Sequence, residues 1–353
     1  MSDGSSTSLY DLDHDAFARL LADEPRYRID QVWRGLYERV ALVDDLTDVP
    51  ATLRARLHRD APPALTTVTE SASAADDTVK WLWSLADGAT VETVLMRYPD
   101  RATVCVSTQA GCAMACGFCA TGQAGFERHL TTGEIVEQVV EAIRRARPQR
   151  LSNVVFMGMG EPLANYDRVW PAVERIQGHL GLSARHLTIS TVGIVPGIDR
   201  LAAETLPVNL AVSLHAANDP LRDELVPINR RYPLDALAAA CDRYLTAKNR
   251  RLSFEWAMIA DTNDRPTDAD ELAAYARPLR AHVNLIPLNP TPGWPTVGSN
   301  PAQVEWFHER LTRQGINVTV RQNRGTSIDA ACGQLRANHE ITMSPRRRST
   351  HPA

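Results

Sequence analysis

Three cysteines, Cys112, Cys116 and Cys119, stand in a CxxxCxxC pattern within the stretch CAMACGFCATG. Cysteine thiolates are the usual protein ligands of zinc and of iron–sulfur clusters. Structural zinc sites usually take four protein ligands and present cysteines in CxxC pairs, which this spacing matches poorly. A [4Fe-4S] cube held by three thiolates keeps its fourth iron open to a ligand from outside the protein. The motif therefore indicates either such a cluster or a zinc site that a distant residue completes.

The overall composition limits the class of protein in which this motif occurs. The chain has 353 residues, of which 44% are hydrophobic and 23% charged, with six cysteines and a formal net charge of -4. No apolar run has the length of a membrane span, and the polar start MSDGSSTSLYDLDHD does not resemble a secretory signal. We therefore expect a cytoplasmic protein with no membrane partner, whose cysteines bind metal, react or pack in the core rather than form a disulfide framework.

The chain before the cysteine motif divides into two segments. Residues 1–75 are predicted to form a small helical domain, because Val32, Trp33, Leu36 and Tyr37 recur at helical spacing. The following residues contain two strand-like runs on either side of an Asp-Gly turn, and this predicts a β-hairpin linker over residues 76–98.

The segment from residue 99 to residue 335 alternates strand-like and helix-like runs. The candidate strands are ATVCVST, NVVFMG, HLTIST, VNLAVSL, RLSFEWAMI, HVNLIPL and NVTVR. Six βα units and a closing strand imply a parallel sheet with right-handed crossovers. We predict an α/β fold, a partial (β/α)6 barrel, and periodicity alone leaves a doubly wound open sheet as the alternative. The remaining residues, 336–353, form a basic tail for which we predict no fixed structure.

Polar side chains collect just after the predicted strands. Parallel α/β proteins build their sites at the carboxyl ends of strands, so these residues should meet on one face. The residues at these positions are the three motif cysteines, Gly160, Glu161, Ser190, Ser213, Leu214, His215, Asn289 and Cys332.

A CxxxCxxC loop after the first strand of a partial barrel, with Phe118 just before the last cysteine, resembles the radical S-adenosylmethionine enzymes. The resemblance implies one [4Fe-4S] cluster whose open iron takes the amino and carboxylate groups of S-adenosylmethionine. The cosubstrate is then the missing fourth ligand, and its cleavage releases a 5'-deoxyadenosyl radical. The GEP sequence at 160–162 resembles the superfamily's contact with the methionine amino group.

Longer motifs resemble one family within that group, the RlmN family. They are VETVLM at 91–96, RATVCVSTQAGCAMACGFCATG at 101–122, GMGEPLANY at 159–166, VSLHA at 212–216, IPLNP at 286–290 and IDAACGQL at 328–335. The resemblance implies a methyltransferase acting on carbon 2 of an adenine in 23S rRNA and, in some members, in tRNA. It also implies that the helical domain binds RNA. We further expect a monomer served by an electron donor such as a flavodoxin system.

The resemblance also implies roles for individual residues. Cys332 would carry a methyl group, Cys105 would be the thiol that resolves the protein–RNA bond and ends in a disulfide with Cys332, and Glu92 would be the general acid/base. The cluster ligands would be Cys112, Cys116 and Cys119, and the S-adenosylmethionine contacts would be Gly160, Glu161, Ser190, Ser213, Leu214, His215 and Asn289. Cys241 matches no family motif and is predicted to be a core residue.

Two other functions remain open at this point. Cfr-type enzymes methylate carbon 8 of the same base with the same cysteines, and the chemistry of the sequence separates them poorly from carbon-2 enzymes. A zinc-stabilised RNA-binding module without catalysis is the alternative from a different class. The sequence FERH at 126–129 is compatible with either an RNA contact or an exposed loop.

Overall fold

The computed structural model describes residues 7–75, 77–289, 296–330 and 334–335. Its helices are α1 His14–Leu20, α2 Arg26–Tyr37, α3 Ala51–Asp60, α4 Ala120–Ala124, α5 Thr132–Ala146, α6 Tyr166–Gly178, α7 Val195–Ala203, α8 Asp219–Leu225, α9 Leu234–Lys248, α10 Pro266–Ala276 and α11 Pro301–Arg313. Its strands are β1 Thr66–Ser73, β2 Thr78–Ser84, β3 Thr90–Arg97, β4 Ala102–Cys105, β5 Gln109–Gly111, β6 Phe126–His129, β7 Leu151–Phe156, β8 Leu187–Thr191, β9 Asn209–Ser213, β10 Leu252–Met258, β11 His282–Pro287 and β12 Val318–Val320. The predicted tail 336–353 and Cys332 lie outside the described residues.

The main sheet has ten strands in the order β1-β2-β3-β4-β7-β8-β9-β10-β11-β12. Strands β1 to β4 pair antiparallel, and β4 and β7 to β12 pair parallel. In the parallel part each new strand is added on the same side of the previous one. Crossovers of one hand that always advance in one direction leave their helices on one face of the sheet, whereas a doubly wound sheet reverses direction. The sheet is therefore the predicted barrel-like arrangement of six βα units and a closing strand.

Helix α5 shows how the crossovers pack against the sheet. A capping box between Thr131 and Glu134 fixes its start. Its apolar stripe, including Ile135, Val136 and Val139, is fully buried.

The N-terminal helices pack around Trp33, whose ring lies 4.5 Å from that of Tyr37 and 5.1 Å from that of His179, the residue that follows α6. A second link joins this region to the core, because the buried carboxylate of Glu137 in α5 accepts hydrogen bonds from the backbone of Ala64 (2.9 Å) and Leu65 (3.3 Å). The start of β1 is thus held directly against the first crossover helix.

Strand β1 is a difference from the sequence prediction, which assigned residues 66–73 to the helical segment. Its sequence, TTVTESAS, is mostly exposed and lacks an apolar alternation, because it is the edge strand of the sheet. The hairpin that follows has its predicted turn at Asp87 and Gly88, between β2 and β3. In the described part of the chain, no helix is both long enough and apolar enough to cross a lipid bilayer.

Candidate active site

The cysteine motif occupies the loop of a small hairpin formed by β5 and β6. Gly111 pairs with Phe126 at its base, and the backbone N–H of Cys112 donates to the carbonyl of Gly125 at 2.7 Å. Gly111 has φ of +71°, and a Cβ atom there would lie 2.9 Å from the carbonyl carbon of Gly125 and overlap its oxygen. Only glycine allows the two sides of the loop to approach this closely.

Further hydrogen bonds inside the loop fix the positions of the cysteines. The N–H of Cys119 donates to the carbonyl of Cys116 at 3.2 Å, and the side chain of Gln123 donates to the same carbonyl at 3.0 Å. From outside the loop, the carbonyl of Leu225 at the end of α8 accepts from the N–H of Gly117 at 3.2 Å. The loop is therefore shaped both by its own backbone and by the crossover after β9.

The three thiols line one cavity and are chemically suited to bind a metal centre. Burial, with the neighbouring Cys119 as a smaller cause, raises the pKa of the Cys112 thiol to about 12 and also raises the pKa of Cys116. Thiols of this kind become thiolates when a bound cation offsets the cost of the charge. Within the described ranges, no three Cys, His, Asp or Glu side chains converge on the position of a single ion. The donor set fits a [4Fe-4S] cluster, in which each thiolate binds a different iron.

The opposite wall of this cavity, whose volume is about 150 Å3, comes from the carboxyl ends of the parallel strands. The lining residues include Cys112, Cys116, Cys119, Phe118, Met157, Gly160, Glu161, Ser190, Ser213, His215, Glu255 and Arg321. The predicted strand-end residues that the structure brings together with the cysteines are thus Gly160, Glu161, Ser190, Ser213 and His215. Gly160 has φ of +99°, and a side chain there would collide with Gln109.

Glu161 is buried, and both of its carboxylate oxygens accept backbone hydrogen bonds. The N–H of Leu163 donates to one oxygen at 2.9 Å, and that of Val192 donates to the other at 2.8 Å. Burial nevertheless raises the pKa of this carboxyl to about 7. A carboxylate with this environment gains from a nearby positive or hydrogen-bond-donating ligand group, since its own backbone donors do not fully offset the loss of water.

His215 is buried and neutral. Its Nδ1 accepts from the N–H of Ala257 at 2.9 Å, which leaves the ring proton on Nε2. Burial, and secondarily the charge of Arg222, lowers its pKa to about 3. The imidazole packs against Phe118 with ring centroids 4.3 Å apart, so it offers the cavity a fixed hydrogen-bond donor rather than a titrating group.

Ser190 offers lone pairs, because its hydroxyl donates to the carbonyl of Phe156 at 2.6 Å. Two further predicted contacts do not line the cavity. Leu214 is fully buried, and its backbone N–H donates to the backbone carbonyl of Glu255 at 3.0 Å. Asn289 is buried and accepts from the side-chain amide of Asn323 at 2.8 Å.

Cys105 lines a second, much smaller cavity of about 10 Å3. It pairs directly with Val94 across β3 and β4, which puts both side chains on the same face of the sheet. Met157 and Arg321 line both this cavity and the larger one, and they form the partition between them. Ala330 and Leu335, which flank the undescribed residues 331–333, also line the Cys105 cavity.

Glu92 lies two residues before Val94 and therefore on the same face of β3. Its carboxylate is buried and pairs with Lys80 at 3.0 Å. The ammonium of Lys80 also donates to the carbonyl of Asp329 at 3.0 Å. Lys80 thus ties the predicted acid/base residue to the segment that leads to Cys332.

Several residues of the site were not predicted from sequence. Glu255 lines the cavity and accepts from the amide of Asn284 at 2.7 Å. A signal for it existed, since a glutamate inside the apolar run RLSFEWAMI is unusual for a strand buried on both faces. Lys80, Met157, Arg222 and Arg321 gave no comparable signal.

Cys241 is fully buried in α9, in agreement with its prediction as a core residue. The stretch FERH forms β6, where Phe126 is exposed.

Comparisons with known proteins agree with this geometry. Residues 106–272 match the model of the Radical SAM superfamily. The chain is 50% identical over 356 residues to the probable dual-specificity RNA methyltransferase RlmN of Chloroflexus aurantiacus, covering 95% of this chain and 94% of that protein. It is 49% identical to the dual-specificity RNA methyltransferase RlmN 1 of Myxococcus xanthus, covering 96% and 97% of the two chains.

A solved structure extends the likeness to the whole fold. The crystal structure of a radical SAM methyltransferase from Sphaerobacter thermophilus is 49% identical in sequence and superposes with a TM-score of 0.91, covering 94% of this chain and all of that one. Family membership implies S-adenosylmethionine and a [4Fe-4S] cluster as cofactors, and the thiol loop and strand-end cavity fit both. The chain therefore belongs to the RlmN family of radical S-adenosylmethionine RNA methyltransferases.

Proposed function

We propose that the protein methylates carbon 2 of an adenine in 23S rRNA and in tRNA, with Cys332 as the methyl carrier. The observation that supports this proposal best is that the site consists of two adjacent cavities. The cofactor cavity and the Cys105 cavity share Met157 and Arg321 as a common wall, and the segment leading to Cys332 is tied by Lys80 to Glu92. A base that enters beside this wall would meet the cofactor on one side and Cys105 on the other.

Cys112, Cys116 and Cys119 would hold the cluster, and Gly160, Glu161, Ser190, Ser213 and His215 would contact S-adenosylmethionine. Leu214 and Asn289, which do not line the cavity, would support these contacts indirectly. When bound, the two cofactors supply the radical chemistry that makes the Cys332 methyl group reactive toward an electron-poor ring carbon. Within the chain, the neutral His215 offers its Nε2–H as a fixed donor, and Glu161 offers a buried acceptor.

Product release is the part of the reaction that the chain's own residues perform. The Cys332 sulfur and carbon 2 are then joined through the transferred methylene group. Once the adduct has given its unpaired electron back to the cofactor, Glu92 would accept the proton lost from carbon 2, and the thiolate of Cys105 would attack the sulfur of Cys332. The carbon–sulfur bond breaks, its electron pair goes to the methylene carbon, and a proton completes the methyl group. Cys105 and Cys332 end in a disulfide.

The Cys105→Ala variant tests this sequence of events. It should accumulate RNA joined covalently to the protein, seen as nucleic-acid absorbance that survives denaturation and disappears with nuclease. The double variant Cys105→Ala with Cys332→Ala should carry none. Cys241→Ala is the matched control, because it removes an equally buried thiol in α9. RNA-free Cys105→Ala protein that still cleaves S-adenosylmethionine in the presence of RNA would remove Cys105 from its proposed role.

The position of methylation and the identity of the RNA need a separate experiment. Nucleosides from rRNA and tRNA, taken from strains with and without the protein, should differ in 2-methyladenosine when compared by mass spectrometry with carbon-2 and carbon-8 standards. A carbon-8 product would instead assign the Cfr-type reaction. The proposal also includes RNA binding by the N-terminal helical domain, a flavodoxin-type electron donor and a cytoplasmic location. It includes a monomeric state as well, and light scattering on the purified protein would test that state.

A further inference from the structure

Arg222 in α8 is fully buried, although no other residue of this short helix, DPLRDEL, is buried. Its guanidinium donates to the carbonyls of Leu214 (3.1 Å), Val192 (2.6 Å) and Ser213 (3.3 Å) and to the side-chain oxygen of Asn229 (2.7 Å). Every one of these acceptors is a neutral oxygen. The donors are therefore satisfied without a direct ion pair, although the carboxylate of Asp219 attracts the guanidinium from a longer distance.

Carboxylates lie close by but are directed elsewhere. Asp219 and Asp223 accept from the amide of Asn229, at 2.9 and 2.7 Å, and not from the guanidinium. Among the described residues, no carboxylate lies within ion-pair distance of Arg222. A buried cation without a direct ion pair is costly, and a further anion close to it would offset that cost.

The position of Arg222 indicates what that anion is. Two of its carbonyl acceptors belong to Val192 and Ser213, which line the cofactor cavity. The helix that carries it ends at Leu225, whose carbonyl holds the N–H of Gly117, the residue next to Cys116. The guanidinium therefore lies directly behind the wall that the cysteine loop faces.

We propose that Arg222 is the fixed counter-ion of the iron–sulfur cluster and raises its reduction potential, an inference that rests on the proposed cluster site. Three thiolates outweigh the charge of the oxidised cube, so the centre is already negative, and the carboxylate and sulfonium of S-adenosylmethionine cancel each other's charge. Reduction makes the centre more negative still. A fixed positive charge in a water-excluded site stabilises the reduced form most, and it requires no reorganisation when the electron arrives.

The test is the reduction potential of the reconstituted cluster, measured by a redox titration followed by electron paramagnetic resonance. Arg222→Gln should make the cluster at least tenfold harder to reduce at a given potential, a shift of about 59 mV toward negative values for one electron. Arg222→Lys, which keeps the charge, should stay near the wild type. Asn229→Ala is the structural control, because it breaks a hydrogen bond to the guanidinium and leaves the charge in place.

A second pair of variants covers the case in which Arg222→Gln does not fold. Cys241 is buried close enough for the charge of Arg222 to act on its thiol. Cys241→Asp would add a negative charge within reach of the guanidinium's field and should lower the potential, whereas Cys241→Asn, which has the same shape without the charge, should not. Equal shifts in Arg222→Lys, Arg222→Gln and Asn229→Ala, or no shift in Arg222→Gln, would overturn the inference. A wild-type protein that binds no cluster would instead overturn the proposed cofactor site.

Discussion

The glycine at the base of the cysteine loop allows a sharp test of how the fold supports the cluster. Gly111→Ala puts a methyl group where the carbonyl of Gly125 lies, in a residue with φ of +71°. The backbone conformation alone costs an alanine about 1–2 kcal/mol. The overlap can be relieved only if the two sides of the hairpin separate, which loses the bond from Cys112 to Gly125 (2.7 Å) and leaves its groups poorly paired, about 1–3 kcal/mol more. The total is about 2–5 kcal/mol, concentrated on the loop that holds three thiols.

Gly88→Ala provides the matched control. Gly88 also has a positive φ, +86°, but no atom lies within 4 Å of the added methyl group, and it sits in the turn between β2 and β3. Backbone strain alone should lower its free energy of unfolding, by about 1–2 kcal/mol. Iron and sulfide content after anaerobic reconstitution, with urea unfolding of the metal-free proteins, should show a depleted cluster in Gly111→Ala and a full one in Gly88→Ala. If both variants hold the same iron and unfold alike, the close approach at Gly111 does not support the loop.

Three further predictions concern residues outside the cluster loop. Burial raises the pKa of Glu137 to about 7 from 4.5, so its contribution to stability is present in full below pH 4.5 and is lost as the pH rises through 7. Relative to wild type, Glu137→Gln should therefore gain about 3 kcal/mol between pH 4 and pH 8 in urea titrations, and a constant difference would contradict this. Cys241→Ala should cost about 1 kcal/mol and leave the iron content unchanged; loss of iron would make it more than a core residue. Lys80→Gln removes the ion pair with Glu92 and the hydrogen bond from the ammonium to the Asp329 carbonyl, so the rate of amide hydrogen exchange at residues 326–330 should rise. Lys80→Arg, which keeps the charge, should restore the protection.

The central parallel strands, such as β9 and β10, were predictable because they are largely buried and therefore appear as short apolar runs. The edge strand β1 was not, since TTVTESAS faces solvent and carries no alternation to detect. The choice between a partial barrel and a doubly wound sheet depends on which strand pairs with which, a long-range property that local periodicity does not contain. The structure decides it through the unbroken strand order from β4 to β12.

The same distinction applies to the site. Residues at strand ends, such as Glu161, Ser190 and His215, could be grouped in advance because parallel strands all end at one edge. Arg222 could not, because a polar helical turn gives no indication that one of its arginines is buried. The link between Lys80 and Glu92 likewise depends on the register of β2 and β3, which only the folded sheet fixes.

The contact between Lys80 and Asp329 spans 249 residues of sequence, and the one between Thr121 and Leu335 spans 214. Contacts between residues this far apart in sequence form late in folding, because the chain must lose the conformational entropy of a long loop before the contact can stabilise the fold. On the ribosome, the cysteine loop emerges well before the segment that leads to Cys332. A nascent chain can thus form the cysteine loop while it still lacks Cys332, the proposed methyl carrier. Under the proposed mechanism, the enzyme would react with RNA only after Asp329 and Leu335 have been synthesised and have made their contacts with Lys80 and Thr121.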